Sequence, residues 1–167
     1  NYHTFVEEAI LFTPGYPFFI SIVNIFIADT YIAAKFVSIF FGTLTIPIAY
    51  FTGKEFYNKT AGLFTAFAIA IYPGIAQTGA VTFTEATFFF FLFCSLYFSI
   101  RIFNKEKLKD YIFAGIFIAF AFLVRPEGLF LLIFPFIFTG YNVLKRKKIN
   151  FLKLFSLFAL FFIICSP

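Results

Sequence analysis

Residues Glu85–Phe103 read EATFFFFLFCSLYFSIRIF. At a rise of about 1.5 Å per residue, such a run spans about 29 Å as a helix, close to the hydrocarbon thickness of a bilayer. Strands seldom exceed about 10 residues, and the strands of a membrane barrel alternate polar and apolar. The nineteen-residue run is longer than that, and its stretch Phe88–Phe93 does not alternate. The stretch therefore reads as a membrane-spanning helix with a carboxylate, Glu85, at its start. Five further segments follow the same rule: Lys35–Phe56, Ala61–Gln77, Leu108–Val124, Gly128–Leu144 and Phe151–Pro167. The expected fold class is all-α, a polytopic transmembrane helical bundle over 35–167.

Composition agrees. The 167 residues are 62% hydrophobic and 13% charged, with 33 Phe. Soluble domains run near 45–50% apolar and about 25% charged. A soluble domain of this length needs more polar side chains to cover its surface. A soluble globular enzyme, a disordered chain and a disulfide scaffold are excluded, and the first partner is membrane lipid. Asn1–Leu11 lacks the basic region and apolar core of a secretory signal. Without an initiator Met, the sequence reads as an internal piece of a longer protein. Cys94 and Cys165 lie inside apolar runs, no Cys-x-x-Cys occurs and His3 is the single histidine. No metal site is expected within this stretch.

The net charge of +5 is not spread as a nucleic-acid surface would be. It sits in short clusters between apolar runs: Lys54/Lys59, Arg101–Lys109 and Lys145–Lys153. Such clusters orient membrane helices toward the cytoplasm. The base-poor segments then face outward or into a lumen: Asn1–Ala34, Tyr72–Thr84 and the turn at Arg125–Glu127. This alternation requires that Pro17–Ala28 does not cross. A dozen residues are too few to span, and Pro17, Ser21, Asn24 and Ala28 form a small or polar stripe at helical spacing. Residues 1–34 are thus expected to be an outer-face loop carrying a short interfacial helix over 17–28. Asn58-Lys59-Thr60 fits a glycosylation sequon but falls on the cytoplasmic side.

The chemistry-bearing residues fall on the outer side. Thr13-Pro14-Gly15-Tyr16-Pro17 is a stiff turn that delivers the short helix. Glu85 follows Thr84, a candidate N-cap, and a first-turn carboxylate suits the helix dipole. It equally suits the rim of a watery cavity. Arg125-Pro126-Glu127-Gly128 ends a short span. An arginine at headgroup depth needs a partner, either Glu127 or a phosphate that its planar fork would grip. Glu7-Glu8 is an adjacent carboxylate pair in the outer N-terminal segment.

In this order and topology, these segments resemble the membrane-embedded GT-C glycosyltransferases, in the branch of dolichyl-phosphate-mannose protein mannosyltransferases and aminoarabinose transferases. Ala114-Gly115 leading to Leu123-Val124-Arg125-Pro126-Glu127-Gly128, and Ala61-Gly62-Leu63 leading to Tyr72-Pro73-Gly74, add to the likeness. The resemblance implies inverting sugar transfer from a polyprenyl-phosphate-linked donor to a glycan, lipid or protein acceptor, outside the cell or in a lumen. It implies the lipid-linked sugar as donor substrate and names no other cofactor. It implies a catalytic carboxylate in the first outer loop, expected upstream of Asn1, with Glu8 and Glu7 as stand-in candidates. Glu85, Arg125, Glu127 and Tyr16 become the expected substrate-binding residues. The family's first helix is missing from this stretch, which by itself is expected to be inactive. The competing reading is a non-enzymatic multi-pass protein such as a lipid-linked sugar flippase, which predicts polar residues at mid-membrane rather than at the rim.

Overall fold

The computed structural model describes residues 13–72, 84–144 and 151–166. They form an all-helical bundle, with no strand among the described residues. The order is α1 (Gly15–Ile27), α2 (Thr30–Phe56), α3 (Lys59–Ala70), α4 (Glu85–Lys105), α5 (Leu108–Val124), a 3-10 segment (Pro126–Leu132), α6 (Ile133–Leu144) and α7 (Phe151–Cys165). Among the described residues, three stretches are long and apolar enough to cross a membrane: Thr30–Phe56, Glu85–Lys105 and Pro126–Leu144.

Helix α2 starts at Thr30, five residues before the apolar run read from sequence. Asp29 is the reason: its Oδ1 accepts the amides of Tyr31 and Ile32 at 2.9 and 3.0 Å, an N-cap that satisfies donors the helix cannot. Lys35 therefore lies inside the helix, its ammonium 4.6 Å from the Tyr31 ring. Pro47 sits within α2 without ending it. Asn58 of the sequon caps α3, accepting the Ala61 amide at 2.8 Å.

In lipid, helices associate through close packing of small residues rather than through a hydrophobic drive. Helix α2 shows this. Ala33, Ala34, Ser38, Gly42, Thr45 and Ala49 are buried, while Phe36, Phe40 and Phe51 face outward. Helices α3 and α4 pack on α2, and α4 packs on α5, which in turn packs on α7. The buried hydroxyls ask little of neighbouring helices. Thr45 donates to the Phe41 carbonyl and Ser99 to that of Ser95, at 2.8 and 2.7 Å. Between the helices an aromatic core forms around Phe91, whose ring lies 5.3 Å from Phe120, 5.5 Å from Phe41 and 5.7 Å from Phe19.

The two ends of the bundle differ in chemistry. At one end, Arg101 meets the buried Asp110 at 2.9 Å, Lys105 meets Glu55 at 2.7 Å, and Lys153 donates to the Glu106 carbonyl at 2.7 Å. These contacts tie the ends of α2, α4, α5 and α7 together. Helix α4 then runs 21 residues to the opposite end, about 31 Å away. There it opens with Glu85, α5 closes with Val124, and the turn before α1 joins them.

Candidate active site at the proline-rich end

Pro126 sets the local structure. A proline disfavours helical backbone in the residue before it, so Arg125 leaves α5 at φ −149° and ψ 136°. Its amide still closes the helix on the Ala121 carbonyl at 2.8 Å, and its carbonyl accepts the Gly128 amide at 2.9 Å. The result is an elbow that turns the arginine side chain away from the helix axis toward the start of α4.

Arg125 reaches two carboxylates there. Its Nη1 lies 3.5 Å from Glu85 Oε1, and its Nη2 lies 3.3 Å from Glu127 Oε1. Its Nε lies 3.4 Å from Glu127 Oε2. The guanidinium carbon stands 5.8 Å from the centre of the Phe88 ring, a cation–π contact. The ion pairs are long and half in solvent: Arg125 is 33% exposed, Glu85 45% and Glu127 55%. Pairs of this kind contribute about 1 kcal/mol or less. The arginine is oriented by them without being locked.

These groups line a cleft of about 290 Å³ with Tyr72, Phe88 and Phe89. Tyr72 closes it edge-on against Phe89, with ring centres 6.3 Å apart. Of the residues expected from sequence, Glu85, Arg125 and Glu127 are thus brought together. Tyr16 lies elsewhere. It is buried in the core, and its hydroxyl sits 2.9 Å from Ser38 Oγ and 3.3 Å from the Ala34 carbonyl, anchoring α1 to α2. Glu7 and Glu8 lie outside the described residues. Tyr72, Phe88 and Phe89 were not expected: in a chain with 33 phenylalanines, aromatic type carries no site signal. Among the described residues, no three His, Cys, Asp or Glu side chains gather in a group able to hold a metal.

A second, apolar cleft of about 360 Å³ opens at the same end. Phe18 and Phe19 of α1, Phe120 and Leu123 of α5, and Ile164 of α7 form its walls. Leu123 is two residues before Arg125, so both clefts border the C-terminal end of α5, although they share no lining residue.

The charge balance of the polar cleft narrows its ligands. Two carboxylates share one guanidinium, so the local field does not favour a bare anion. A ligand that brings hydroxyl donors for Glu85 and Glu127 together with a negative group for Arg125 fits all three at once.

Comparison with known families bears on this. Residues 12–167 match the family model described as dolichyl-phosphate-mannose-protein mannosyltransferase. The chain belongs to that family. No curated protein and no solved structure matches it. Family membership and the apolar helices together support an integral membrane protein of a glycosyltransferase family. In this family, a lipid-linked sugar donor and an acceptor meet in a membrane setting. The cleft containing Arg125 is therefore to be read as part of a mannosyltransferase-family enzyme.

Proposed function

We propose that the polar cleft receives the sugar-phosphate end of a polyprenyl-phosphate-linked donor on the outer or lumenal face of the membrane. Arg125 pairs with the donor phosphate, and Glu85 and Glu127 accept hydrogen bonds from sugar or acceptor hydroxyls. The apolar cleft beside Leu123 takes the first isoprenoid units of the tail. A polyprenyl chain cannot leave the bilayer, so its phosphate must be met where lipid gives way to water. Helix α1 supports this boundary position. Its Tyr16, Phe19 and Val23 pack on the core, while Phe18, Ile22, Ile25 and Phe26 are exposed apolar surface beside the exposed Ser21.

The reaction is an inverting displacement. An acceptor hydroxyl oxygen attacks the anomeric carbon and its proton passes to a carboxylate base. The bond from that carbon to the phosphate oxygen breaks, and the electron pair leaves with the lipid phosphate. Charge builds on that phosphate as the bond breaks, and a guanidinium already aimed at it favours the transition state over the ground state. The base belongs to the first outer loop, where Glu7 and Glu8 are the candidates within this sequence.

The observation that carries this reading is the meeting of Arg125 with Glu85 across 40 residues in one rim cleft. The test is turnover of a radiolabelled polyprenyl-phosphate sugar by the reconstituted full-length protein. Arg125→Ala is expected to abolish most of it, and unchanged turnover removes the phosphate role.

A further inference from the structure

The last turn of α5 is gripped from two sides. On one, Thr13 Oγ1 donates to the Val124 carbonyl across 111 residues of sequence, satisfying an acceptor that the helix end leaves free. Beside it, Gly15 lies so close that a Cβ there would stand 2.6 Å from both the carbonyl carbon and the oxygen of Leu123, and 2.8 Å from the Val124 amide nitrogen. On the other side, a Cβ on Gly128 would stand 2.3 Å from the Phe122 amide nitrogen and 2.4 Å from the Ala121 carbonyl carbon. All these neighbours are backbone atoms, which cannot swing aside as a side-chain tip can. Arg125 is the next residue out of the gripped turn.

We propose that Thr13 and Gly15 are positioning residues for Arg125. The proline-glycine turn is the brace of the arginine elbow, so the placement of α1 on the bundle sets where the guanidinium sits over Phe88. The functional meaning rests on Arg125 serving the donor phosphate. The brace itself does not, and its test needs no donor. A purely structural turn would affect stability alone, whereas a brace alters the surroundings of the guanidinium while the helices stay folded.

The 167 residues contain no tryptophan, so Phe88→Trp places a fluorescent reporter under Arg125, and the change in emission against the Phe88 parent isolates its signal. Iodide, an anion drawn toward a cation, is the probe, and neutral acrylamide corrects for accessibility. In the Phe88→Trp protein in lipid nanodiscs, Arg125→Gln is expected to lower the iodide-to-acrylamide quenching ratio about two-fold. Thr13→Val and Gly15→Ala are expected to shift the ratio and the emission maximum in the same direction, with helix content by circular dichroism unchanged. Thr13→Ser, which keeps the hydroxyl, is expected to hold the parent values. The proposal is overturned if Thr13→Val keeps the parent ratio while Arg125→Gln lowers it. It is also overturned if Arg125→Gln changes nothing, since the guanidinium then does not stand over ring 88. A protein that behaves as expected here, yet binds no sugar-phosphate donor, keeps the brace and loses the donor reading.

Discussion

Arg125 Nη1 lies 3.5 Å from Glu85 Oε1 although 40 residues and a helical hairpin separate them. The elbow at Pro126 aims the arginine and the first turn of α4 presents the carboxylate. Neither group is buried deeply enough to be fixed by the other. That combination, a cation held in place by weak partners at the rim of an apolar bundle, suits a ligand that brings a negative group for the arginine together with hydroxyls for the two carboxylates.

Removing the guanidinium should separate catalysis from stability. Arg125→Gln is expected to lower turnover by about 10²- to 10³-fold, the scale of losing a preorganised donor to developing negative charge. Its half-exposed ion pairs contribute so little that unfolding should shift by less than about 1 kcal/mol. Turnover and thermal melting on the same preparation check both.

Neutralising one carboxylate should change the preference for anions. Glu127→Gln leaves Arg125 facing Glu85 alone, so inorganic phosphate is expected to inhibit several-fold more strongly than in the parent. The sugar-phosphate donor, which gives hydroxyls to the carboxylate, is expected to bind less well. Inhibition by phosphate against donor concentration reads both effects.

At the opposite end, Asp110 is buried and paired with Arg101, which also donates to the Tyr97 hydroxyl at 3.0 Å. Asp110→Ala leaves Arg101 without its carboxylate and is expected to cost about 2 kcal/mol, discounted because the arginine is partly in solvent. Turnover per folded molecule is expected to hold, because this pair lies a whole helix length from the cleft. Unfolding in mixed micelles, read beside turnover, distinguishes the two.

Tyr16→Phe removes a hydroxyl committed to Ser38 at 2.9 Å. The expected cost is about 1 kcal/mol of stability, with donor affinity unchanged. A fall in donor affinity at unchanged stability would assign Tyr16 to the substrate instead.

Much of this was legible in the sequence because lipid makes the pattern simple. Unbroken apolar runs gave the all-helical class, Pro126 gave the elbow, and a carboxylate and an arginine at the ends of such runs stood out by their rarity, whereas the run expected as a helix over Gly128–Leu144 opens as a 3-10 segment. The Asp29 cap moved the start of α2 because a single oxygen accepting two amides overrides hydropathy. The role of Thr13 could not be read, since its partner is a backbone carbonyl 111 residues away and backbone atoms leave no mark in sequence. The aromatic walls of the cleft were hidden for the opposite reason: phenylalanine is everywhere in this chain. Tyr16 sits in a turn full of signals yet points into the core, and only packing decides that.

The central claim is that the cleft of Arg125, Glu85 and Glu127 holds the phosphate of a lipid-linked sugar. Equilibrium binding of a radiolabelled polyprenyl-phosphate sugar to the reconstituted protein tests it most directly. The account predicts saturable binding that falls at least tenfold in Arg125→Gln and is kept in Asp110→Ala corrected for folded fraction. Equal binding by the parent and Arg125→Gln would contradict it.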